Sequence, residues 1–502
     1  MKVQILWGAA VIVLAALTLL LFSQLLGVHN LDLMLNYIND SIGHVTTARH
    51  VADDHHAETS LIYLLMLPRH ATHLYMPGYY LLLAFSYLLL GVSTFAALLP
   101  NFIAYIATSV LIYLVASHRY GIKTGVLAAV IFILIPCQLG LTFMAMTELT
   151  LTFVIFLSFT IFYFAKIKYK YFLAPVLITV CYLFRQTAIF MLIPFVLQIV
   201  YEDHALPIKK YGKLAVTCLV TVILTTLSNK WMMSQGMYGV DFKLLLSGGI
   251  KYGSAFQITP TSSLPILLYE NFMRNLHDLL TYSNPLLTLD GMNGYYRSSL
   301  YLFLIFEIVC IVQAIKTFRQ DFFPLATILM SLALFLVCMV IDVGYPSVVM
   351  RIVLYSMPFL AISASVALLN RKNASACLLG VMILLLVHSG LATQKTLNEY
   401  RQVHDKRLQF FASLHLDARE ILVSPVDISM EWVLDHYPLK WTFVPTDEAT
   451  LKLLQQKYAV NVIVLSQYDL QSLPHEVLVR NGMGLSDKVN FAGTNYYVYK
   501  SN

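Results

Sequence analysis

Long apolar runs recur along this sequence, and they leave few folds open. The first extends from Val3 to Leu26. Others cover 96–116, 125–141, 149–164, 171–183, 188–200, 214–231, 299–314, 325–341, 352–369 and 377–391. About twenty apolar residues in helical form cross a hydrocarbon layer roughly 30 Å thick. Lipid offers the backbone no hydrogen-bond partner, so each run must satisfy its own amides as a helix. Of 502 residues, 58% are hydrophobic and 12% charged, against about a quarter charged in a soluble domain. The expected fold class is a polytopic α-helical membrane protein with about eleven transmembrane helices, interfacial helices and a C-terminal α/β soluble domain.

Charge placement sets the expected orientation. The run from Tyr79 to Leu90 follows Pro77-Gly78, ends at Gly91 and is short for a span. If it stays on the outer face, the clusters at 118–123, 166–170, 209–213, 316–319 and 371–372 all fall in the cytoplasm, as the positive-inside rule requires. The N-terminus is then cytoplasmic, and residues 1–26 read as an uncleaved first span. The net charge of +6 is explained by these clusters. No basic, aromatic-laced surface points to nucleic acid. Cys137, Cys181, Cys218, Cys310, Cys338 and Cys377 all lie in apolar runs, so neither disulfides nor a thiolate metal site are expected.

Two regions are expected: a membrane domain at 1–392 and a soluble domain at 393–502 on the non-cytoplasmic side. Within the first, 29–75 forms an outer loop with interfacial helices and 233–298 a second, long outer loop. In the tail, Glu420 to Val423, Val460 to Leu465 and Tyr496 to Tyr499 read as strands and Glu448 to Tyr458 as a helix. It carries no Gly-rich nucleotide loop.

Few charged residues stand at the outer ends of the apolar runs. Asp40 and His44 are four apart, hence on one face of a helix. An acid there can act as base for an incoming hydroxyl, or simply cap a helix. Glu148 lies at the edge of a span, where burial of a carboxylate is costly and suggests function. The helix dipole offers it a structural reason instead. Arg185 and Arg351 oppose the positive-inside trend. Their planar forks suit phosphate oxygens, although snorkelling or pairing with an acid such as Asp342 would also account for them. The only cofactor this pattern admits is a divalent metal at Asp40, His44 or Glu148, bridging to a phosphate.

The order of these features resembles the GT-C membrane glycosyltransferases, which include the protein O-mannosyltransferases and the aminoarabinose transferase that modifies lipid A. One span is followed by Asn39-Asp40 and His44, then by His73-Leu74-Tyr75-Met76-Pro77-Gly78-Tyr79-Tyr80 and a short apolar run. Glu148 at a span edge, Arg185 before a span and Gly344-Tyr345-Pro346 leading to Arg351 complete the pattern. The resemblance implies that Asp40 is the first-loop acid and Glu148 the acid of the second outer loop, both catalytic. It makes Arg185 and Arg351 donor-phosphate residues by position, and His44, His73, Tyr75, Tyr79 and Tyr345 supporting or substrate-binding residues. Ser41 rather than a second acid follows Asp40, and Met76-Pro77-Gly78 stands where the family has Pro-Pro, so the resemblance does not name the sugar.

The implied partners are a polyprenyl-phosphate sugar donor, a lipid, glycan or protein acceptor, and membrane lipids. The implied location is a bacterial inner membrane with the C-terminal domain periplasmic. The expected reaction is a single, inverting displacement at the anomeric carbon. A polyprenyl-linked glycan or lipid flippase is the chief alternative, marked by sugar movement without a new glycosidic bond. A non-catalytic scaffold is the third. The candidate charges gather at one face and no internal repeat is evident, which weighs against a transporter.

Overall fold

A computed structural model describes residues 2–36, 39–54, 76–165, 170–202, 207–234, 269, 272–273, 293–317, 320–340, 351–369, 371–413, 421–423, 441–442, 448–457, 460–471, 473–491 and 494–501. The protein is a helical membrane bundle with a small sheet near its C-terminus. The helices are α1 (Lys2–Leu26), α2 (Leu31–Asn36), α3 (Asn39–Asp54), α4 (Pro77–Leu90), α5 (Thr94–Tyr120), α6 (Ile122–Ile133), α7 (Pro136–Thr142) and α8 (Thr147–Phe164). They continue with α9 (Lys170–Tyr182), α10 (Leu192–Glu202), α11 (Pro207–Ser234), α12 (Asn293–Thr317), α13 (Phe323–Val340), α14 (Met357–Leu368) and α15 (Lys372–Ser413). Among the described residues, seven helices are long and apolar enough to cross a membrane, or eight with α6 and α7 counted as one span. Four others, Pro77–Leu90, Tyr171–Tyr182, Gln186–Tyr201 and Phe323–Met339, are apolar but shorter.

The run at 125–141, expected to be one span, is not one straight helix. It breaks between α6 and α7 with a bend of 62°. Pro136 has no amide hydrogen and sits at the start of α7, where a proline is tolerated and the preceding residue is pushed out of helical conformation. All seven residues of α7 are buried, so protein rather than lipid surrounds the break, as a bilayer demands.

Lipid tails are as apolar as Phe or Leu, so tight packing and polar contacts select the arrangement within the bundle. An aromatic column fills its centre: the Phe159 ring lies 4.9 Å from Phe359 and 5.8 Å from Phe323. At one end of the bundle Tyr120 donates to Asp321 at 2.5 Å. Arg119 pairs with Asp321 at 3.5 Å and lies over the Phe322 ring. This ties the end of α5 to the start of α13. The candidate residues lie at the opposite end, where α8 starts.

After the bundle, α15 runs 42 residues without a break, about 63 Å at 1.5 Å per residue. The boundary expected at 393 falls inside it. Beyond it a five-stranded sheet has the order β2-β1-β3-β5-β4, with β1 (Ile421–Val423), β2 (Trp441–Thr442), β3 (Val460–Ser466), β4 (Met483–Phe491) and β5 (Thr494–Ser501). The first three pair in parallel and the last two join antiparallel. Helix α16 (Glu448–Lys457) and the short α17 (His475–Arg480) accompany it. Leu451, Ile463, Leu465, Leu478 and Tyr499 form its core.

Candidate active site

Three of the charged residues singled out in the sequence meet. Glu148 is fully buried in the first turn of α8, where the helix dipole favours a carboxylate. Its Oε1 accepts from Arg185 Nη1 at 2.5 Å, and from Arg351 Nε at 2.8 Å and Nη2 at 2.6 Å. Arg351 is also buried, while the Arg185 side chain is 29% exposed. Among the described residues, one carboxylate thus faces two guanidinium groups. Two guanidinium forks side by side have the geometry that suits phosphate oxygens. Asp342, the acid expected to pair with Arg351, lies outside the described residues. Glu148 takes that role.

Each charge is held by neighbours with no charge of their own. Asn101, buried within α5, donates to the carbonyls of Met144 at 2.6 Å and Met146 at 3.1 Å and accepts from Thr150 at 2.6 Å. This fixes the turn that presents Glu148. Arg185 follows a turn clamped by α4: the Gly78 amide donates to Leu183 O at 2.9 Å. A Cβ at Gly78 would come within 2.6–2.8 Å of the Phe184 ring, so only glycine lets α4 approach so closely. Arg351 opens a helical turn whose Ser356 donates to Val353 O and accepts from Ser331 on α13, each at 2.8 Å.

His44 joins the same neighbourhood. Its Nε2 is 2.9 Å from Thr147 Oγ1, one residue before Glu148. Its ring meets Tyr79 edge-on, centroids 5.0 Å apart. Asp40 lies one turn earlier on α3, about 6 Å along the axis at 1.5 Å per residue. Only the backbone is described there. His73, Tyr75 and Tyr345, and most of 55–75 and 233–298, lie outside the described residues.

Glu148 offers little to a metal. Both arginines meet Glu148 Oε1, Oε2 has no hydrogen-bond partner among the described residues, and the two guanidinium groups repel a cation. Among the described residues no three His, Cys, Asp or Glu side chains converge as ligands.

Sequence reading passed over two hydroxyl groups. Tyr355 is fully buried within electrostatic reach of Arg185, Glu148 and Arg351, and Thr187 sits beside it. Neither hydroxyl makes a hydrogen bond of good geometry to the described residues. Such buried groups call for a partner, and a ligand held by the arginines would supply one. A tyrosine four residues after an intramembrane arginine was the available signal.

The arrangement belongs to a polytopic membrane protein with a cluster of two arginines and one carboxylate at one end of its bundle. Residues 70–231 match the family model described as dolichyl-phosphate-mannose-protein mannosyltransferase. The fold is similar to that of ArnT from Cupriavidus metallidurans bound to undecaprenyl phosphate, with a TM-score of 0.57 and 12% identity over 95% of this chain and 97% of that one. It is also similar to the Archaeoglobus fulgidus oligosaccharyltransferase in complex with zinc and sulfate, with a TM-score of 0.53 and 12% identity over 97% of this chain and 72% of that one. No curated protein matches the chain by sequence. The chain therefore shares its fold with these membrane glycosyltransferases, and its residues 70–231 resemble the mannosyltransferase family.

Proposed function

We propose that this protein transfers a sugar from a polyprenyl-phosphate carrier to an acceptor hydroxyl on the non-cytoplasmic face of its membrane. The observation that carries this reading is the meeting of two guanidinium groups, Arg185 and Arg351, on one oxygen of the buried Glu148. Guanidinium forks bind phosphate oxygens in pairs, and a phosphate beside Arg185 and Arg351 would meet two of them. An apolar groove supports a lipid carrier. It has a volume of about 440 Å³ and is lined by Ile189, Phe190, Ile193, Val196 and Leu197 opposite Leu329. It starts on the helical turn that follows Arg185, so a chain lying in it would leave its phosphate near that guanidinium. The ArnT structure, which holds undecaprenyl phosphate, agrees with a lipid phosphate as ligand. The outward orientation rests on the placement of the basic loops.

In this reading Asp40 takes the proton of the acceptor hydroxyl as its oxygen attacks the anomeric carbon. The bond from that carbon to the phosphate oxygen breaks, and the configuration inverts. Negative charge collects on the departing phosphate, where Arg185 and Arg351 stabilise it most as the bond breaks. Glu148 orients the two arginines and does not itself take up a proton.

Asp40→Asn tests the base. With the donor that the wild-type protein consumes from a panel of undecaprenyl-phosphate sugars, turnover will fall by about 10²- to 10⁴-fold. Affinity for undecaprenyl phosphate will stay the same. Near-normal turnover in this variant removes Asp40 from the role, and failure of the wild-type protein to consume any donor removes the reaction.

A further inference from the structure

The long helix that leads to the C-terminal sheet also grips the start of the acid-bearing loop. Gly27, at φ +83°, turns the chain out of α1 into the short helical turn Val28–Asn30, then α2 and α3. The Asn30 side chain is fully buried and donates to Leu26 O at 3.0 Å and to Asn398 Oδ1 on α15 at 2.9 Å. One turn along α15, Arg401 donates through Nε to Asn30 Oδ1 at 3.0 Å and through Nη2 to Asp32 Oδ1 at 2.8 Å. It also donates to the His29 carbonyl. Asn398 and Arg401 are three apart, so both face the same way from one helix.

This latch is not needed to join the two spans. Below it, α1 and α15 already touch closely at Gly390, where a Cβ would overlap Leu25 and lie 3.2 Å from Phe22. Arg401 lies beyond the apolar stretch Asn373–Glu399 and holds the segment that runs into α3. The other side of that segment is held by His44 on Thr147. Asp40 sits between these two anchors.

We infer that Arg401 is a positioning residue: through Asn30 and Asp32 it sets where α3 presents Asp40, and so couples the stem of the C-terminal domain to the reacting centre. The inference rests on the role proposed for Asp40. An ion pair that still reaches water, as Arg401 with Asp32 does at 26% and 29% exposure, adds modestly to stability, whereas a displacement of about 1 Å at a reacting group costs about 100-fold in rate.

The test uses the full-length protein in lipid nanodiscs. Arg401→Ala will lower kcat by about 10- to 100-fold, with the donor KM and the affinity for undecaprenyl phosphate unchanged. Arg401→Lys, which keeps a cation within reach of Asp32, will recover part of the rate. In an Asp40→Asn background, Arg401→Ala will cause no further loss, because the residue it serves is already gone. The inference is overturned if Arg401→Ala turns over normally while Asp40→Asn is inactive. It is equally overturned if Arg401→Ala raises KM or slows the Asp40→Asn background as much as the wild type. Should the alanine variant fail to fold, the lysine variant decides: unchanged kcat rejects the latch. Normal turnover of Asp40→Asn alone rejects the base and leaves the latch without its object.

Discussion

Replacing Glu148 with alanine will silence the protein and destabilise it more than any other single change at the site. The substitution removes the carboxylate that meets both Arg185 and Arg351, and leaves both guanidinium groups without it. Breaking a buried ion pair by removing one partner costs about 3–5 kcal/mol, because the remaining charge stays buried. Thermal unfolding in detergent will show that loss, and sugar transfer will fall below detection. The double variant Glu148→Leu with Arg351→Met separates stability from chemistry. It leaves Arg185 alone, and that side chain reaches water. Apolar groups of similar volume often replace a buried pair at little cost, so much of the stability will return while transfer stays absent. Recovery of transfer along with stability would show that the cluster is a structural staple.

Arg351→Lys keeps the charge and will still lower kcat/KM by about 10- to 100-fold. Two nitrogens of Arg351 grip one oxygen of Glu148, and that grip holds the plane of the fork in place. Lysine offers a point charge on a flexible stem and has no such plane to hold. A hydrogen bond to a charged group is worth about 1.5–3 kcal/mol, hence the expected range. The loss should fall on kcat as well as KM, because the charge that Arg351 meets grows as the phosphate departs. A change in KM alone would place Arg351 in ground-state binding only.

The charged part of the site was legible in the sequence because charge at the edge of an apolar run is expensive and therefore stands out. Glu148, Arg185 and Arg351 were visible on that ground. Their pairing was not, since nothing local distinguishes Glu148 from Asp342 as a partner. The uncharged residues that hold the cluster gave no comparable signal. Asn101, Thr147, Thr187 and Tyr355 look like ordinary helix residues until packing brings them together. Reading 125–141 as one span followed its hydropathy and underrated Pro136, which bends it. In the tail, β3 and β5 were visible as apolar runs, whereas β4 is an edge strand with a register shift between Leu485 and Asp487. Most of its residues face outward, so it has no apolar face to read.

Binding of undecaprenyl phosphate to the purified protein in nanodiscs tests the central claim most directly. Wild type and Asp40→Asn should bind it saturably and with the same affinity, and the double variant Arg185→Met, Arg351→Met should bind at least about 100-fold more weakly, as expected for the loss of two charged contacts. Equal affinity in the double variant would contradict the assignment of this cluster to a lipid phosphate.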